Sequence, residues 1–371
     1  MPVIVIKVGT STLAREDGLD GLALWRLSGA VAELHRRGWK PVIVSSGAVG
    51  LGRVRLGWTE RPREIALKQA AAAVGQGLLM NAWETMLAPL GLTTAQLLLT
   101  RADLADRQRY LNASTTLRTL LDQDRPVVPV INENDSVAVD ELKFGDNDTL
   151  SALVAQLVDA DWLVILTDVA GLYDRNPHAD PAARLVREVE EWTPELEAMA
   201  GDSQSGFGTG GMATKLRAAR LATAAGIPVA LALGSRPHQL VHLLDPESRE
   251  TFEGTLFRAR RADRLEFRRR WLAFGSPTRG AFRLDEGAAR AIGREGRSLL
   301  PAGVREVEGE FQAGETVRVL DPAGHEIARG LSSYGSAEAR RIVGLQSGAI
   351  EQALGYKLTD ELIHRDNLVR V

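Results

Sequence analysis

Apolar residues in the first 235 positions fall into short runs, separated by longer stretches with helical spacing. The runs lie at 3–8, 41–46, 94–99, 127–131, 163–167 and 227–233 and read as continuously apolar. A strand with one wet face alternates apolar and polar positions, so continuous runs predict strands covered on both faces. Helical patterns lie between them at about 20–38, 62–89, 104–123, 149–159 and 212–225. Alternation of this kind predicts an α/β fold, a three-layer sandwich around a mostly parallel central sheet. Ligands of such sheets bind at the carboxyl ends of the strands, in the loops that lead to helices.

The pattern breaks at Phe257–Trp271, where arginines crowd the chain, and resumes with a different texture. Shorter β signals follow at 279–284, 298–311, 315–321 and 325–334, with Asp321-Pro-Ala-Gly324 as a hairpin turn. The division expected is a catalytic domain over 1–257, a basic linker over 258–274, and a small, mainly β domain with its tail over 275–371.

Composition narrows the partners. Of 371 residues, 44% are hydrophobic and 25% charged, as in a globular chain with substantial cores. A net charge of −3 creates no whole-molecule basic field, which argues against nucleic acid as a partner. No apolar run reaches the roughly 20 residues that span a bilayer, and Met1-Pro-Val-Ile enters a strand directly. No membrane association and a cytoplasmic location are the expectation. Only six of the 45 basic residues are lysine, at 7, 40, 68, 143, 215 and 357. An Arg-rich chain should keep lysine mainly where a compact ammonium does what a guanidinium cannot.

The unusual polar and glycine content gathers in four strand-end segments. These are Lys7-Val-Gly-Thr-Ser11; Ser45-Ser-Gly-Ala-Val-Gly-Leu-Gly52; Ile131-Asn-Glu-Asn-Asp-Ser136 with Phe144-Gly-Asp-Asn-Asp-Thr149; and Leu166-Thr-Asp-Val-Ala-Gly-Leu-Tyr173 with Gly206–Lys215. The last glycine loop opens a helical pattern, a geometry that presents backbone N–H groups to phosphate. It matches G-x-G-x-x-G but lacks the preceding strand of a dinucleotide fold, and no P-loop motif is present. There is no cysteine, and none of the histidines at 35, 178, 238, 242, 325 and 364 falls in these segments. Lysines, amides, hydroxyls and carboxylates without a general base suit phosphoryl transfer. A carboxylate acceptor fits best, because with a pKa near about 4 it is ionised before the reaction begins.

Taken together, Val44-Ser-Ser-Gly-Ala48, Leu97-Leu-Leu-Thr-Arg-Ala-Asp103, Val130-Ile-Asn-Glu-Asn-Asp135, Gly145-Asp-Asn-Asp148, Leu166–Tyr173 and Gly208–Lys215 resemble the glutamate 5-kinases of the amino-acid kinase family. From about 275 onward, Asp285-Glu-Gly-Ala288 and Ser298-Leu-Leu-Pro-Ala-Gly-Val304 resemble the PUA domain appended to many bacterial members. The resemblance covers nearly the whole chain. It implies ATP-dependent phosphorylation of the L-glutamate side-chain carboxylate, the first step of proline biosynthesis. Lys7 and Lys215 would contact the transferred group, with Asp148 holding both lysines. Ser46, Asp135 and Asn147 would bind glutamate, helped by Asn132 and Asp146. The amides of Gly9 and Gly47 would cradle phosphate oxygens. Thr167, Asp168 and the segment Thr209, Gly210, Gly211, Met212, Ala213, Thr214 and Lys215 would bind ATP. Mg2+ would be held mainly by the ATP phosphates, with no direct protein ligand. Proline as a feedback inhibitor and a homo-oligomeric state, dimer or tetramer, also follow from the resemblance.

Blander readings of single residues stand beside these. Asp135, Asp146 and Asp148 could cap helices or turns, and Lys68 and Lys143 could make surface or oligomer contacts. Trp25, Trp39 and Trp83 read as packing residues. Two further functions compete: a related kinase with another acceptor, such as carbamate, acetylglutamate, aspartate or UMP, and RNA binding through the PUA-like domain. Over 275–371 there are 13 Lys and Arg against 14 Asp and Glu, which is no basic footprint.

Overall fold

The computed structural model describes residues 1–15, 18–138, 147–177, 179–193, 196, 199, 211–245, 247–259, 278–295 and 297–370. The chain divides into two compact units, Met1–Arg264 and Leu265–Val371.

The first unit is built on an eight-stranded sheet. Its strands are β1 (Val3–Val8), β2 (Lys40–Ser45), β3 (Thr93–Leu99), β4 (Val127–Glu133), β5 (Trp162–Thr167), β6 (Glu188–Val189), β7 (Val229–Leu233) and β8 (Gly254–Phe257). The order across the sheet is β3-β4-β2-β1-β5-β7-β8-β6. All pairings are parallel except that of β8 with β7. Six strands match the apolar runs to within two residues at each end, while β6 and β8 are too short to register as runs. The edge strand β3 is the least covered of the six, mostly half-buried or exposed, because nothing pairs with its outer side.

Pleating assigns residues to the two faces. Ile4, Ile6 and Val8 join a core with Leu24, Leu27, Val31 and Leu34 of α1 (Gly21–Arg36) and Leu79, Trp83 and Leu87 of a long helix further on. Lys7 therefore points to the opposite face. Asp20 starts α1 by accepting from the amides of Leu22 and Ala23.

The helix expected over 62–89 forms as a single element, and a further helix that the sequence pattern did not show precedes it. The chain leaves β2 through Ser46 and Gly47 into α2 (Ala48–Arg55), then runs on to α3 (Ile65–Leu87). A Cβ on Gly52 would lie 1.7 Å from the Ala71 carbonyl oxygen, and one on Gly75 would lie 1.8 Å from that of Ala48. These glycines let α2 and α3 meet backbone to backbone. Gly50 and Gly52, read from sequence as part of a glycine loop, are helical. Trp83 is buried and donates to Ser45 Oγ at 3.1 Å, whereas Trp25 is 64% exposed and packs in no core.

The remaining helices of this unit that bear on the site are α4 (Arg107–Leu121), α5 (Asn147–Leu157) and α6 (Met212–Ala224). Helix α5 packs on α6 and on the Lys7 face of the central strands.

The second unit carries a five-stranded sheet of β9 (Gly280–Leu284), β10 (Val304–Gly309), β11 (Thr316–Leu320), β12 (Glu326–Leu331) and β13 (Leu368–Arg370), in the order β10-β9-β11-β12-β13. Its core gathers Phe282, Val304, Val317, Val319, Tyr334, Ile342 and Leu362, separate from that of the first unit. The Asp321–Gly324 turn forms as expected: the Gly324 amide donates to the Asp321 carbonyl at 3.0 Å, and Gly324 takes φ +90°. The arginine-rich stretch at 260–277 lies outside the described residues.

Candidate active site

Parallel register brings the chemistry to one edge. Lys7 pairs with Val44 and Ile165, and Val8 with Ser45 and Leu166. Ile131 pairs with Val44, so Asn132, next to last in β4, stands level with Ser45, one residue before Ser46. Lys7, Ser46, Asn132 and Thr167 therefore stand at the carboxyl ends of four adjacent strands.

At the centre is Asp148, in the first turn of α5 and wholly buried. Its Oδ1 is 2.6 Å from Lys7 Nζ and its Oδ2 is 3.3 Å from Lys215 Nζ. Thr214 Oγ1 donates to Oδ2 at 2.7 Å. Lys7 and Lys215 are only 6% and 7% exposed, so both ammoniums are largely removed from water beside one carboxylate. Burial pushes the Asp148 carboxyl up, but the charges of Lys7 and Lys215 and the bonds from Lys7 and Thr214 outweigh it. The carboxyl is held below the ordinary carboxylate range. Among the described residues, the group is two positive charges around one negative in a low-dielectric setting.

Backbone dipoles add to it. Gly47, with φ +118°, caps α2, and Gly211 caps α6. The first turns of α2, α5 and α6 are tied together, since Asn147 of α5 reaches Ser46 and Asp148 reaches Thr214. Helix N-termini carry partial positive charge and free N–H groups, the standard equipment for phosphate. Gly9 sits under the Lys7 ammonium: a Cβ there would be 3.3 Å from Nζ. At Gly47 a Cβ would meet open space, so the left-handed backbone rather than crowding is what favours glycine.

A second network adjoins the first. Asn147 Nδ2 donates to Ser46 Oγ at 2.8 Å and to Asn132 Oδ1 at 3.0 Å. Asn132 Nδ2 in turn donates to Gln76 Oε1 of α3 at 2.9 Å. Asp135 lies half-buried in the turn after β4. Thr167 is buried at the end of β5 and donates to Asp168 Oδ1 at 3.0 Å. Asp168 borders a cleft of 520 Å³ whose walls include Tyr173, Leu185, Arg187, Arg236 and Gln239. Met212, Ala213, Thr214 and Lys215 form the first turn of α6, behind Gly211. Asp146, Thr209 and Gly210 lie outside the described residues, as does Lys143. Gln76 and the cleft residues Leu185, Arg187, Arg236 and Gln239 were not found by reading the sequence, whereas Tyr173 lies in the segment 166–173 singled out there; for Gln76 the one signal was the pair of glycines flanking it inside a helical pattern.

The donor set at the centre does not fit a protein-held metal ion. Asp148 already serves two ammoniums and a hydroxyl. Among the described residues no three His, Cys, Asp or Glu side chains group to hold a cation.

Comparison with known proteins gives the family. Residues 2–232 match the amino acid kinase family and residues 280–354 the PUA domain. The glutamate 5-kinase of Moorella thermoacetica is 52% identical over 99% of this chain and 95% of its own length. Those of Burkholderia multivorans (50%, over 99% and 97%) and a Synechococcus strain (47%, over 98% and 97%) are similar in the same way. With a buried two-lysine centre at its strand ends and this likeness along its full length, the chain belongs to the glutamate 5-kinases of the amino acid kinase family.

Proposed function

We propose that the protein transfers the γ-phosphoryl group of ATP to the side-chain carboxylate of L-glutamate, giving L-glutamyl 5-phosphate and ADP. The observation that carries the chemistry is Asp148 clamped between Lys7 and Lys215 where three helix N-termini meet. Relatives at about half identity supply the acceptor. A γ-carboxylate oxygen bonds to the γ-phosphorus as the bond to the β,γ-bridging oxygen breaks, and that electron pair leaves with ADP. The acceptor is ionised at neutral pH, so no base takes a proton. Lys7 and Lys215 meet the charge on the transferring oxygens, and the amides of Gly9 and Gly47 cradle them. Asp148 is a positioning residue: it holds both ammoniums so that little reorganisation is needed when charge develops.

Ser46, Asn132, Asp135 and Asn147 receive the amino acid, with Asp146 from the adjoining segment. Thr167, Asp168 and the loop 209–215 receive ATP, whose base the cleft beside Asp168 can take. Mg2+ would be held by the ATP phosphates, where it would offset their charge. The product is the first intermediate of proline biosynthesis, and proline would compete at the glutamate network. A cytoplasmic location goes with these substrates; among the described residues no helix is long and apolar enough to cross a membrane. A homo-oligomer is supported by Leu67, Val74 and Leu78, exposed at helical spacing on α3.

The test is ATP-dependent acyl-phosphate formation, trapped with hydroxylamine, across L-glutamate, N-acetyl-L-glutamate, L-aspartate and carbamate. Turnover with L-glutamate, lowered about 100-fold or more by Lys215→Ala, is expected. An inert glutamate beside an active second acceptor would overturn the assignment.

A further inference from the structure

The amide network next to the lysine centre has a direction that one backbone group sets. The Glu133 N–H can only donate, and it donates to Asn132 Oδ1 at 2.9 Å. That atom is therefore the amide oxygen, and Asn132 Nδ2 must donate onward to Gln76 Oε1. The same oxygen accepts from Asn147 Nδ2, which fixes the other end. What remains are Gln76 Nε2 and Asn147 Oδ1, both buried and both without a hydrogen-bond partner among the described residues. A buried donor and a buried acceptor thus stand unpaired at opposite ends of one chain of three amides. Leaving such groups unpaired is costly, and native proteins rarely do so away from ligand sites.

Gln76 is held in place from behind. The neighbouring Gly75 lies against the Ala48 carbonyl and the Gly52 amide, so α3 rests on α2, the helix that follows Ser46 and Gly47. The order along the network is Asp148, Asn147, Asn132, Gln76. Gln76 is its last member, counted along the bonds from the lysine centre. An acceptor whose reacting carboxylate faces those lysines would bring its other end towards Gln76.

Resting on the function proposed above, we propose that Gln76 is an acceptor-binding and specificity-determining residue. Its Nε2 donates to the α-carboxylate of the amino-acid acceptor, while Asn147 Oδ1 accepts from its ammonium. The opposite senses of the two unpaired atoms match the opposite charges on an amino acid's α-carbon.

Gln76→Glu separates this role from a purely structural one. A carboxylate keeps an oxygen for Asn132 Nδ2 and turns the free donor into an acceptor, which a bound carboxylate repels. Steady-state kinetics with L-glutamate and with 4-aminobutyrate, the same molecule without its α-carboxylate, should show three results. The KM for L-glutamate rises by about tenfold or more, a typical loss for a buried charge-assisted bond. The KM for ATP stays within about twofold, since the role proposed for Gln76 is confined to the acceptor. The preference for L-glutamate over 4-aminobutyrate in kcat/KM shrinks by about tenfold or more. Gln76→Met, checked by its melting temperature, repeats the test if the glutamate variant folds poorly; it should shrink the same preference. An unchanged preference in a folded variant overturns the inference while the wild type still turns over glutamate. No glutamate turnover by the wild type overturns the functional reading, and this inference with it.

Discussion

Asp148 shows how one side chain can set both stability and chemistry. Removing its charge takes away the carboxylate that two buried ammoniums share, and breaking a buried pair in this way costs about 3–5 kcal/mol. Asp148→Asn should therefore lower the unfolding free energy by an amount of that order, read from urea melts at pH 7. The carboxyl is held below its ordinary range, so its contribution is fully present above the pKa of an unfolded aspartate, about 4. It is lost as pH falls through the lowered folded value. The gap between wild type and Asp148→Asn should stay constant from pH 7 to about 4 and narrow below that. A gap that widened on acidification would sink this account. For Lys7 and Lys215, substitution by Ala should lower kcat by about 10²–10³-fold, the usual cost of losing a preorganised charge partner. Arginine should not restore activity, because a planar fork does not fit a place shaped for an ammonium beside Asp148.

The elements around the site explain why glycines that look alike in sequence do different jobs. Gly47 is needed for its left-handed backbone, Gly52 and Gly75 for close helix contact, and Gly50 for neither. Gly52→Ala would drive a methyl into the Ala71 carbonyl, and overpacking of this kind costs about 3 kcal/mol or more when backbone must move. Gly50→Ala meets open space within α2 and should stabilise the helix by up to about 1 kcal/mol. Thermal melts of the two variants should move in opposite directions. Equal shifts would mean that the α2–α3 approach is looser than the Cβ distances imply. The sequence could not show this contrast, since a glycine marks a place where a side chain is unwelcome without saying what excludes it.

On the scale of the whole molecule, each unit has its own core and its own sheet. A chain of residues 278–371 should unfold cooperatively when expressed alone, as followed by circular dichroism. Its near-balanced charge predicts no salt-dependent binding to RNA, and a clear shift at low salt would reopen that reading. The mostly parallel sheet and the small β unit with its Asp321–Gly324 hairpin were legible because both strand faces are apolar and turn chemistry is local. Strand β13, three residues near the end of the chain, was not legible, since its pairing with β12 is made by tertiary contact.

By itself, the order of residues determined the alternating strands and helices, the end of the sheet that would bear ligands, and which polar side chains stood there. Those depend on period, on turn residues and on side-chain chemistry, all written locally. Only the tertiary structure decided which of them touch. Asp148 meets both Lys7 and Lys215, more than 60 residues away on the nearer side, because parallel register aligns four strand ends and α5 packs against α6. Gln76 joins Asn132 because Gly75 lets α3 come down on α2. Register and close packing are properties of the assembled sheet and helices, and no single segment carries them.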